Sequence, residues 1–268
     1  MNRIERFASE HPVTFGFIAT VVFILMLVLA AVLGNLWPGE ETYGQPGGIL
    51  GRLISIIILL AALSRLGWLR AAGFLSLGRW STWLINLLLM VYIIAASTYA
   101  MTGSLDLSIV DSALTFPVTL FILVAAFLEE VVFRGLILHG FVRAWGKNNR
   151  GLITSVVVSS LLFCSIHLLD FLSGRPITIV LLQSLQAFFL GVFLSALVLS
   201  GKSIYPAAIF HVILNLAAYQ SFASRGLEPG PGSWLLLSLF MLPLAVFALY
   251  FLTWRRNPGR EVYSLDMS

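Results

Sequence analysis

Residues 13–34 read VTFGFIATVVFILMLVLAAVLG, an unbroken apolar run without a charged side chain. Crossing ~30 Å of hydrocarbon at ~1.5 Å per residue takes about 20 such residues, so this stretch alone is long enough to span a bilayer. Arg3 and Arg6 precede it as in a secretory signal, but the apolar run exceeds the roughly 7–15 residues of a signal's hydrophobic region and reads as a retained anchor. Similar stretches follow near 49–69, 82–101, 117–138, 152–172, 177–200, 203–222 and 233–254. The connection at Gly201–Ser203 is short enough to leave one helix open to bending or shortening. The expected fold is all-α: a polytopic transmembrane helical bundle of about eight spanning helices.

The whole chain agrees with that reading. Of 268 residues, 59% are hydrophobic and 10% charged, and the mean hydropathy is +0.96; a soluble core cannot hide so much apolar surface. No linker rich in Pro, Ser or charge divides the chain, so residues 1–268 are expected to form a single integral membrane domain. The single cysteine, Cys164, excludes an internal disulfide and a multi-cysteine metal cluster.

The net charge of +4 resides in short loops and carries a topology signal, so no nucleic-acid partner is expected. Assigning loops alternately puts Arg3, Arg6, Arg65, Arg70, Arg79, Arg143, Lys147, Arg150, Lys202, Arg255, Arg256 and Arg260 on one side. Only Arg175 and Arg225 fall on the other, with Glu40, Glu41, Asp106, Asp111 and Glu228. The positive-inside rule then places both termini in the cytoplasm of a multi-pass plasma-membrane protein. Trp37, Trp68, Trp80, Trp83, Trp145, Trp234 and Trp254 fall near span ends, where an aromatic belt is expected.

Ionisable side chains at membrane depth cost several kcal/mol and usually face a polar cavity. Three segments carry them: Phe127-Leu128-Glu129-Glu130-Val131-Val132-Phe133-Arg134-Gly135, Phe163-Cys164-Ser165-Ile166-His167 and Phe210-His211-Val212-Ile213-Leu214-Asn215. Residues four apart share a helix face, so Glu130 is expected to pair with Arg134, leaving Glu129 aimed elsewhere. The same spacing puts His211 with Asn215 and Phe163 with His167. If the helices pack together, Glu129, His167, His211 and Asn215 converge. Each residue also has a plain structural reading, as an ion pair, an interhelical hydrogen bond or a packed imidazole.

Together these segments resemble the signature of the CPBP intramembrane protease family, which includes type II CAAX prenyl proteases and lysostaphin resistance protein A-like proteins. The family pattern is EExxxR, FxxxH and HxxxN/D. Glu129, Glu130 and Arg134 match the first element, Phe163 and His167 the second, and His211 and Asn215 the third. Gly135 and the run Gly201-Lys202-Ser203-Ile204-Tyr205-Pro206-Ala207-Ala208 add to the likeness, which covers about residues 115–220 as a protease-family core. The resemblance implies an intramembrane endopeptidase in which Glu129 and His167 activate the attacking water and His211 and Asn215 stabilise the oxyanion. Glu130 and Arg134 would support the site, and the partners would be the lipid bilayer and a membrane-associated peptide or protein substrate.

Those roles make chemical sense: a carboxylate in low dielectric can serve as general base, and an Asn amide or imidazole N–H can meet the negative charge on the carbonyl oxygen. Glu129, His167 and His211 also make a His2Glu set of the kind zinc hydrolases use, although no HExxH helix is present. A zinc site and a metal-free mechanism both stay open. Cys164 and Ser165 lie too near His167 along one helix for good activation as nucleophiles. The same polar constellation suits a proton-coupled transporter, though the paired halves of such proteins are missing; a non-catalytic scaffold is the third alternative. Counting residues from one membrane face puts Glu129 and His211 ~10 to 12 Å deep but His167 at ~22 Å, a mismatch that a tilted or re-entrant fifth helix would relieve. The chain does not end in a CAAX box.

Overall fold

The structure is a computed structural model that describes residues 3–36, 45–102, 116–223 and 230–254. The expectations for Trp37, Glu40, Glu41, Asp106, Asp111, Arg225, Glu228, Arg255, Arg256 and Arg260 lie outside the described residues.

Hydrocarbon offers no hydrogen bonds, so a spanning segment must satisfy its own backbone, and helices do so within one chain segment. The described residues contain helices and no strand. A short helix α1 (Arg3–Glu10) precedes α2 (Pro12–Asn35), α3 (Pro46–Arg65) and α4 (Trp80–Thr102). Next comes α5 (Phe116–Glu130), which passes through a π-helical stretch, Val131–Leu138, into α6 (His139–Trp145). α7 (Asn149–Ile166) tightens into a 3₁₀ turn, His167–Ser173, and is followed by α8 (Ile177–Gly201), α9 (Tyr205–Ala223) and α10 (Pro231–Trp254). Seven helical runs among the described residues are long and apolar enough to cross a membrane; the expected span at 203–222 is α9, a helix of 19 residues that is not among them.

Two boundaries differ from the hydropathy reading. The fourth span continues to Trp145, making a run of 30 residues, because apolar and aromatic residues of α6 are buried against α1, α2 and α7. α7 begins at Asn149, where the Asn148 side chain accepts a 2.8 Å hydrogen bond from the Gly151 amide and caps the helix.

Close backbone approach joins α2 to α3. Gly51 lies so near Ala30 that a Cβ there would meet the Ala30 Cα at 2.7 Å, the small-residue packing expected where lipid supplies no hydrophobic drive between helices. The α3–α4 connection folds back onto the α8–α9 turn. Lys202 there is left-handed (φ 55°), the Ile204 amide donates to the Gly73 carbonyl at 3.2 Å, and the Tyr205 hydroxyl donates to the Phe74 carbonyl at 2.8 Å. Gly73 is itself at φ 87°, and a Cβ would approach the Ser203 Cα at 2.9 Å, so both conformation and space require glycine. From α4, the buried Asn86 amide donates to the Pro206 carbonyl at 2.9 Å. These bonds set where α9 starts, and thereby the height of His211. Trp68 departs from the expected aromatic belt: it is 1% exposed and packs edge-on to Phe15 and His139.

Candidate active site

The fourth, fifth and seventh expected spans, now α5 with its π-helical stretch, α7 and α9, bring Arg134, His167 and His211 around Phe163. Glu130 and Arg134 pair as expected from their spacing, at 2.9 Å with side chains 0% and 1% exposed. A buried charge needs such a partner. The Arg134 guanidinium also lies over the Phe163 ring at 4.4 Å. Widened i→i+5 turns often mark functional positions. Here the Ser159 hydroxyl of α7 donates to the Phe133 carbonyl at 3.1 Å within the π-helical stretch.

His211 joins this pair from α9. Its Nδ1 lies 2.9 Å from Glu130 Oε1, and its Nε2 lies 3.7 Å from Glu129 Oε2. Since Glu130 is held by Arg134 as an acceptor, the Nδ1–H of His211 donates to it. Adjacent helical residues diverge by about 100°, and the two glutamates accordingly have different surroundings. Glu130 meets Arg134 and His211 through Oε1 alone, its Oε2 being buried without a partner, whereas Glu129, 20% exposed, approaches His211 beyond hydrogen-bonding distance.

His167 sits at the start of the 3₁₀ turn, its ring 5.6 Å from that of Phe163; His211 is edge-on to the same ring at 5.8 Å. Both imidazoles therefore flank one side chain, and the depth mismatch expected from residue counting does not keep them apart. No direct polar contact joins Glu129 to His167. Asn215 is half-buried one turn after His211, and its side chain has no hydrogen bond among the described residues.

Three residues near the site escaped the motif reading. Gln183 of α8 donates from Nε2 to His167 Nδ1 at 3.3 Å. Arg175 donates to Gln183 Oε1 at 2.6 Å and to Asp170 at 3.1 Å. Arg52 of α3 stacks on Phe121 at 4.2 Å and interacts electrostatically with Glu129. Each breaks its local pattern, Arg175 as a cation against the loop-charge trend, Gln183 and Arg52 as polar groups in apolar runs.

Residues 111–217 match the family model described as Type II CAAX prenyl endopeptidase Rce1-like. Over this segment the chain is similar to the type II CAAX prenyl endopeptidases. The match contains every motif residue from Glu129 to Asn215 and supports a CAAX-type intramembrane protease in general. Neither a curated protein nor a solved structure matches the chain.

A zinc site would need Glu129, His167 and His211 to converge as ligands. Among the described residues no three His, Cys, Asp or Glu side chains group as metal ligands. A metal-bound imidazole usually donates its other N–H to an acceptor. His211 has such an acceptor in Glu130, but the Nδ1 of His167 faces an amide donor, the reverse of that pattern. As placed, Glu129, His167 and His211 are not arranged as a zinc-ligand set.

Proposed function

We propose that the protein is an intramembrane endopeptidase in which Glu129 is the general base for peptide hydrolysis without a metal. The observation that carries this is the division of labour between adjacent glutamates: Glu130 is fully buried and its Oε1 is held by both Arg134 and His211, while Glu129 is partly exposed and left without a hydrogen-bonded partner beside His211 Nε2. In the proposed step water attacks the scissile carbonyl carbon and passes a proton to Glu129. Glu129 then protonates the departing amine as the C–N bond breaks. His167 orients the water, and the Asn215 amide faces the oxygen on which negative charge develops, a donor contributing roughly 3–4 kcal/mol of transition-state stabilisation; with its hydrogen on Nδ1, His211 holds Glu130 instead. The family description makes a prenylated CAAX peptide the first substrate class to try.

The test uses purified, reconstituted protein with two probes: a farnesylated peptide ending in a CAAX sequence and an unprenylated transmembrane peptide. Cleavage of either is expected, and Glu129→Gln should reduce it below detection while thermal unfolding in detergent is unchanged. A fully active Glu129→Gln enzyme removes the proposed base. Chelator treatment should leave the rate unaltered. About one zinc per chain, with activity lost on chelation and restored by zinc, would reverse the metal-free reading.

A further inference from the structure

His167 is approached by a chain of side chains whose hydrogen placements are forced. A guanidinium has only donors, so the group of Gln183 lying 2.6 Å from Arg175 Nη1 is its amide oxygen. The amide nitrogen then faces His167 Nδ1 at 3.3 Å. That nitrogen also has only donors, so Nδ1 must present its lone pair, and the neutral imidazole carries its hydrogen on Nε2. A doubly protonated ring would set N–H against N–H. Asp170, three residues after His167 and brought beneath it by the 3₁₀ turn, accepts from the same Arg175 Nη1 at 3.1 Å and anchors the guanidinium.

The geometry points to Gln183 and Arg175 as positioning residues that hold the His167 hydrogen on Nε2. His167 thereby serves the reaction as a hydrogen-bond donor and leaves proton acceptance to Glu129. The catalytic part of this inference rests on the hydrolase reading above; the hydrogen placement does not.

Gln183→Glu separates the two. One carboxylate oxygen keeps the bond to Arg175, so folding is retained, while the other replaces the amide nitrogen opposite Nδ1 and draws the hydrogen there. Histidine-¹⁵N-labelled protein in detergent micelles, with His167 assigned from a His167→Asn variant, reports which ring nitrogen carries hydrogen. Wild type is expected to show Nε2–H and Gln183→Glu to show Nδ1–H. On the farnesylated CAAX peptide the variant should lose at least about 100-fold in kcat with little change in KM, since a wrong tautomer disables an otherwise intact histidine. Arg175→Lys, whose ammonium also only donates, should keep Nε2–H and most of kcat. Wild-type hydrogen on Nδ1, or an unchanged Gln183→Glu spectrum, overturns the placement. A Gln183→Glu enzyme with a moved hydrogen and wild-type kcat overturns the donor role. Absence of wild-type cleavage of either peptide defeats the hydrolase reading instead, and the spectra still decide the placement.

Discussion

His211 and His167 flank the same phenylalanine ring, yet their neighbours hold them in opposite ways. His211 meets an acceptor, Glu130, at Nδ1, whereas His167 meets a donor, Gln183, at the same atom. Identical side chains are thus directed to place their hydrogens on different nitrogens. The settings differ as well. The Glu130–Arg134–His211 corner is nearly sealed, with side chains at most 3% exposed, while the Asp170–Arg175 pair at the rim is 36% and 23% exposed. A sealed charge network governs whether the fold survives; a rim network governs orientation at small cost to stability.

That contrast predicts a graded series. Arg134→Ala strands Glu130 as an uncompensated buried charge and should cost about 3–5 kcal/mol, read as thermal unfolding in detergent. The double variant Glu130→Gln/Arg134→Met should lose less than Arg134→Ala alone, because replacing both members of a buried pair leaves no naked charge. An Arg134→Ala protein as stable as wild type would break the comparison at its strongest point. Ser159→Ala removes the hydroxyl bonded to the Phe133 carbonyl and should cost about 1 kcal/mol by the same measurement. Asp170→Asn should shift stability by less than ~1 kcal/mol, and the shift should shrink further in high salt, as for any half-exposed pair. A larger loss for Asp170→Asn than for Arg134→Ala would invert the contrast.

The apolar runs made the helical bundle legible because length and hydropathy are local properties. The Glu130–Arg134 pair was equally legible, since four residues on one helix put both on one face. Three features were hidden for physical reasons. The π-helical stretch leaves no mark in apolar periodicity, as both helix types keep Val131, Val132 and Phe133 buried. The extension through α6 was masked by Arg143, which reads as a loop cation but lies in a helix, over the Trp68 ring. The Gln183 and Arg175 bonds to the His167 region join residues across a chain reversal, and no spacing rule links a loop arginine to a glutamine eight positions on. The position of Asn215 on the face of His211 follows from spacing alone, whereas its expected hydrogen-bonding partner is a substrate.

The π-helical stretch has a consequence for the history of this chain. Such a stretch is equivalent to one residue inserted into an α-helix, and one residue turns everything after it by about 100°. Deleting a single residue between Arg134 and Leu138 would restore regular turns, preserve every motif letter, and swing α6 away from its seat against α1 and α7. Drift in this segment is therefore constrained in length more strictly than in composition: apolar residues can exchange for one another, but a codon cannot be lost.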